Sequence, residues 1–166
     1  MFAVVQNGEV RQILQMDVPF SVGDKHYSSN FLRTSSAQEK IEAGVWEIIE
    51  SSRPDDRFYW VSGPNYRVVE VSNTVEASYS GTAKDLDGLK SGNVTQIKAQ
   101  ANSMMAPTDW MVIRKVERDV AVPAEVTAHR AAIVAECGRL VADIEAAADV
   151  DGLIAALATA NWPVLA

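Results

Sequence analysis

The hydrophobic period of this chain changes once, near Gly81-Thr82, and that change limits the possible folds more than any other feature. Before it, Val75, Ala77 and Tyr79 alternate with Thr74, Glu76 and Ser78, the two-residue period of a half-buried strand. After it, aromatic residues thin out and alanine dominates. Leu86, Lys90, Val94, Ile97, Ala101 and Met104 then recur at steps of three and four, the period of a helix face. A pattern written for one period does not settle in the other. Two differently built regions are therefore expected: a β-rich α+β domain over 1–81 and a helical region over 82–166. A chain of 166 residues suffices for one small domain with a helical extension.

In the first region, Phe2 to Val5 and Val10 to Leu14 flank Asn7-Gly8, which supplies the two positive-φ positions of a type I′ hairpin turn. Pro19-Phe20 and Val22-Gly23-Asp24 read as loop. Ser36 to Ala43 is expected to form a short helix, capped by Ser35 or Ser36 with Glu39 completing the box and Gly44 closing it. Val45 to Glu50, Arg57 to Val61 and Tyr66 to Ser72 read as strands. Pro54-Asp55-Asp56 and Ser62-Gly63-Pro64-Asn65 separate them as turns. The sum is a small antiparallel sheet with one short helix.

In the second region, the Lys84 to Met105 stripe is weakened by Gly88 and Gly92. Pro107 is expected to break it, since proline cannot continue a helix without losing a hydrogen bond. Thr108 would then cap a second helix, Asp109 to Glu117, with Asp109 in its first turn. Pro123 reads as the first residue of a third helix. Along it Val126, His129 or Arg130, Ile133, Cys137, Leu140 and Ile144 keep close to heptad spacing, a coiled-coil-like seam. Asp149 or Asp151 caps a last short helix through Leu153, Ile154 and Leu157.

The chain carries little catalytic vocabulary. His26 and His129 stand far apart in sequence, with no Cys or His at ligand spacing, so neither a metal nor an organic cofactor is expected. Asp55-Asp56 reads as turn chemistry, and no phosphate-cradling glycine loop or nucleophile signature occurs. Cys137, the one cysteine, reads as a buried small hydrophobe and allows no intrachain disulfide. A net charge of −7 argues against nucleic acid or an anionic membrane surface as partner. No stretch has the length of a membrane span and the start does not resemble a signal peptide, so a cytoplasmic setting is expected. With 48% apolar residues a packed core is within reach. What the helical region offers is apolar helix face. Trp110 and Trp162 are either core anchors or interface anchors, where tryptophan is enriched.

The run Thr108-Asp109-Trp110-Met111-Val112-Ile113-Arg114, then Val122-Pro123-Ala124-Glu125-Val126, His129-Arg130-Ala131-Ala132-Ile133 and finally Asn161-Trp162-Pro163, resembles the C-terminal module of bacteriophage tail assembly chaperones, also called tail fibre assembly proteins. The family pattern is a TDW-type motif, a linker ending in proline, a helix with Arg before an aliphatic residue, and a terminal WP. His129 departs from it, standing where the family has a tyrosine. The resemblance implies a non-enzymatic protein that helps a tail fibre protein, expected as a homotrimer, to fold and assemble, and so a place in the cytoplasm of an infected bacterium or on the virion tail. A structural virion component, such as a fibre adaptor, is the alternative; a small hydrolase with a concealed site is a third. The partner face is expected on Trp110, Ile113, Val126, Arg130, Ile133, Val134, Leu140, Val141 and Trp162, and the same helices leave self-association open.

Overall fold

The computed structural model describes residues 1–164. The fold is α+β, with a sheet in the first half and helices in the second. The chain divides into two compact units, Met1–Thr82 and Ala83–Ala166.

In the first unit, β1 (Phe2–Gln6) and β2 (Glu9–Leu14) form the Asn7-Gly8 hairpin, with φ of 54° and 74° at the two turn residues. Helix α1 (Phe31–Thr34) is followed by α2 (Ala37–Glu42), which Ser36 and Glu39 cap reciprocally. Gly44, at φ 71°, turns the chain into β5 (Val45–Glu50), which pairs antiparallel with β1. Strands β6 (Tyr59–Val69) and β7 (Thr74–Ala83) complete a five-stranded sheet in the order β2-β1-β5-β7-β6.

Side-chain alternation gives this sheet two apolar faces. Val4, Leu14 and Val45 pack with Phe20 and Leu32 on one face. Ala3, Val5, Ile48, Val75 and Ala77 cluster on the other, where Val10 and Ile13 of β2 and Val68 of β6 also pack. Outer strands at opposite ends of the sheet order thus reach the same cluster, so the sheet is curled.

Several local expectations are corrected. Phe20 and Val22 are not loop: β3 (Phe20–Val22) and β4 (Lys25–Tyr27) make a second hairpin across the Gly23-Asp24 turn, with Gly23 at φ 58°. Its aromatic residues decide the matter, because Phe20 stacks on Tyr27 at 5.1 Å and both rings meet Phe31. The Ser62-Gly63-Pro64-Asn65 segment does not end a strand but lies within β6. An outer strand tolerates proline, which removes no donor that an inner ladder needs. A side chain on Gly63 would put its Cβ 2.8 Å from the Ser78 carbonyl. The sheet is mixed rather than wholly antiparallel, since β5 and β7 run parallel. The chain goes from β5 to the outer position first and returns as β7 between them.

The remaining corrections lie in the second unit. Regular α3 (Leu86–Met105) ends just before Pro107, as expected, but the chain does not leave helical geometry there. A single 3₁₀ turn, Ala106–Thr108, carries it into α4 (Asp109–Arg118), with proline near the start of the turn, where a missing N–H costs little. Thr108 makes no side-chain cap; its hydroxyl donates to the Met105 carbonyl at 2.9 Å. Pro123 is the residue before the next helix, α5 (Ala124–Ala146), rather than its first member. Helix α6 (Val150–Ala158) is capped by Asp149, whose carboxylate accepts from the Gly152 N–H at 2.7 Å. Asp85 caps α3 in the same way through Gly88. Helices α3 and α5 pack antiparallel: Lys90 reaches the Glu145 carbonyl at one end, and Arg130 the Met105 carbonyl at the other. Ile97 and Ala101 meet a core of Val126, Ile133, Leu140, Ile144, Val150 and Leu153 within this unit.

Candidate functional site

Helix α4 has no buried residue, although its sequence is apolar on one side. Trp110, Ile113 and Val116 follow one another at steps of three and are 51%, 57% and 83% exposed. Val112, four residues before Val116 on α4, is also exposed, as is Val120 just beyond the helix end. A surface helix ordinarily buries its apolar stripe against the body, and this one leaves it in water. The Arg114 guanidinium lies over the Trp110 ring at 4.7 Å, a cation–π contact that holds the indole in one orientation. Lys115 and Arg118 stand in the last turn, where the helix dipole favours cations, and Asp119 ends the helix at φ 55°.

The position of α4 is set by Arg130. Its Nη1 donates to the Met105 carbonyl at 2.8 Å and to the Thr108 hydroxyl at 2.7 Å, and meets the Asp109 carboxylate at 2.8 Å. All three acceptors sit where α3 passes into α4. Thr108 is buried, and the Arg130 side chain is only 22% exposed. The Thr-Asp pair and the arginine downstream are therefore one fastening. Trp110, the third residue of the motif, is left on the surface.

A second fastening was not foreseen. Arg139 of α5 pairs with Glu136 at 2.7 Å and Asp143 at 2.7 Å, and its Nη2 donates to the Thr159 carbonyl at 3.0 Å. Glu136 also accepts the Asn161 N–H at 2.8 Å, so the segment leading to Trp162 is tied to α5. The i, i+3 and i+4 spacing of Glu136, Arg139 and Asp143 was visible in sequence, but their link to a segment twenty residues later was not. The Arg139 hydrogen bond, then the Asn161 N–H, hold the Glu136 carboxyl down at about 2. A carboxylate depressed in the folded state stabilises above its unfolded pKa, ordinarily about 4.3. That contribution should fade as pH falls from there through about 2. Urea melts across this acid window should be flatter for Glu136→Gln than for wild type. An equal slope in both would remove Glu136 from the acid response.

The expected partner residues separate into three groups. Val126, Ile133 and Leu140 are corrected: they are buried in the core of the second unit, out of a partner's reach, because the heptad-like seam is spent on α3 and α6. Arg130 is corrected too, since its guanidinium is committed inward. Trp110, Ile113 and Val134 are exposed, while Val141 and Trp162 are half-buried. Val134 and Val141 line a groove of about 380 Å³ between α3 and α5, with Ala101, Met105 and Cys137. Cys137 is half-buried at this wall rather than fully enclosed. Val112 and Val116 were missed, although their i, i+4 spacing on α4 was a usable signal; Val120 lies beyond the helix end.

Elsewhere, Asp55 and Asp56 pair with Arg57 at 2.6 Å and Arg53 at 3.5 Å in an exposed turn. His26 shares a hydrogen bond with Ser21 at 2.7 Å. Among the described residues no three His, Cys, Asp or Glu side chains gather as a metal site, and no helix is long and apolar enough to cross a membrane. Comparison with family models, curated proteins and solved structures finds no match to this chain.

Proposed function

We propose that the chain is a bacteriophage tail fibre assembly chaperone, a binding protein without catalysis, and that α4 is its working surface. The observation that carries this reading is an exposed apolar helix face displayed by a motif that resembles the family's own. Arg130 holds Thr108 and Asp109, so Trp110 is presented rather than consumed in the core. An unassembled trimeric fibre exposes sheet edges and apolar surface that aggregate until covered. An acidic chain stays soluble while it waits, and a few large side chains supply most of the binding energy. The setting is the cytoplasm of an infected bacterium, and the partner is the fibre protein.

The test is co-expression of a tail fibre gene, should one lie beside this chain's gene, with wild type, Trp110→Ala and Ile113→Ala, with each variant's own fold checked by circular dichroism. Trp110 is half-exposed, so its loss should cost the chain less than about 1 kcal/mol of stability. Affinity for the fibre should fall about 30-fold, the effect of losing about 2 kcal/mol at a hot spot. Folded variants that yield wild-type amounts of soluble trimer would remove α4 from the reading. Stoichiometric recovery of the chain from washed mature particles would favour the virion-component alternative.

A further inference from the structure

Helix α4 and the groove between α3 and α5 are matched in length, surface and charge, and one unit carries both. The groove is walled by α3 from Lys98 to Met105 and by α5 from Val134 to Val141, about two helical turns on each side. The apolar face of α4 from Trp110 to Glu117 also spans about two turns, about 10 Å.

Each part lacks a cover in its own chain. A ten-residue helix is marginal in water without packing, yet α4 has no buried residue. In the groove, a side chain on Gly138 would meet nothing within 4 Å. Glycine inside a helix is unfavourable, and nothing in its own chain needs that space. A second helix approaching closely does need it.

Charge says which helix. Lys98 is the one ionised side chain at the groove wall, and Glu117 stands four residues after Ile113 on the apolar face of α4. Both are exposed, and neither makes an ion pair among the described residues. Helices α3 and α5 are antiparallel, so Lys98 and Val141 mark one end of the groove and Met105 and Val134 the other. With Glu117 at Lys98, Trp110 falls beside Met105, a favourable thioether–aromatic contact.

We infer that the chain pairs with a second copy of itself, α4 of each lying in the α3–α5 groove of the other. Each copy supplies one helix and one groove, so the exchange closes as a two-fold pair. The covered area is on the order of 1,000 Å², the lower bound for a specific interface, so the pair is reversible. The inference needs no fibre. It uses the α4 face assigned above to the fibre, so self-pairing and fibre binding exclude each other.

The test is sedimentation of the purified full chain alone, from about 1 to about 300 μM, so a negative result leaves the fibre reading standing. Wild type should pass from monomer to dimer with a midpoint on the order of 30 μM. Gly138→Leu fills the groove with a better helix former, so it should fold and pair at least about tenfold more weakly. Lys98→Glu and Glu117→Lys should each weaken pairing about tenfold. The double exchange Lys98→Glu/Glu117→Lys should return it to within about three-fold of wild type. Cys137 lies at the groove wall and is the one cysteine. Mild oxidation of Ile113→Cys should therefore give a covalent dimer through Cys137 of the second copy, whereas Ile113→Cys/Cys137→Ser should give none. Wild type that stays monomeric at about 300 μM overturns the inference, as does a dimer untouched by Gly138→Leu. A double exchange no better than the single changes overturns it too. So does oxidised Ile113→Cys that runs as a monomer, since α4 would then fold onto its own groove.

Discussion

Ile133→Asp will unfold the helical unit, whereas Val134→Asp will leave it folded. The two residues are neighbours on α5, but Ile133 is 0% exposed and Val134 is 57% exposed. A carboxylate at the first position loses a buried aliphatic side chain and must be desolvated without a partner, a cost above about 4 kcal/mol. At the second position it stays in water, and the change should remain within about 1 kcal/mol. Urea denaturation followed by far-UV circular dichroism reads both. A small loss for Ile133→Asp would mean that α5 does not pack on α3 and α6 as described. The contrast also decides which variants inform on binding. Under the proposed function, loss of fibre rescue by Ile133→Asp would report an unfolded chain, while the same loss by Val134→Asp would report the groove.

The sequence was most legible where one local rule settles the outcome. Asn7-Gly8 fixed a hairpin, Ser36 with Glu39 fixed a helix start, and the alternation from Thr74 fixed a strand, since each signal is complete within a few residues. It was least legible where a distant partner overrides the local rule. Pro107 carries every mark of a helix break, yet Arg130, more than twenty residues on, grips both sides of the turn and keeps the run helical. Gly63-Pro64 carries every mark of a turn, yet pairing with β7 draws it into a strand. The parallel placement of β5 beside β7 has no local signal, because it depends on which strand takes the outer place.

The candidate surface was half legible for the same reason. Periodicity identified α5 as apolar but could not say that its seam is consumed internally, since burial is decided by what lies opposite. Val126, Ile133 and Leu140 thus moved from partner face to core, and Val112 and Val116 entered in their place. Trp110 and Ile113 are exposed on α4, a helix with no buried residue.

Arg130→Ala will be the most damaging change among the polar residues of the second unit. It removes three contacts from one guanidinium and leaves the Thr108 hydroxyl, in a buried residue, without its charged donor. Hydrogen bonds to a charged group contribute about 1.5–3 kcal/mol each when shielded. Asp109 is 54% exposed, so its share is that of a surface pair, below about 1 kcal/mol. The expected loss is therefore about 2–3 kcal/mol for Arg130→Ala and under about 1 kcal/mol for Asp109→Ala. Arg130→Lys should recover part of it, since one ammonium reaches fewer of the three acceptors. Urea midpoints of the three variants, with unchanged slopes, give the ordering directly. Equal small losses for Arg130→Ala and Asp109→Ala would reduce the fastening to an ordinary surface ion pair. If the ordering holds, and the proposed function with it, Arg130→Ala should also weaken fibre binding in protein that is still folded. The arginine acts by fixing the turn from which α4, and with it Trp110, is displayed.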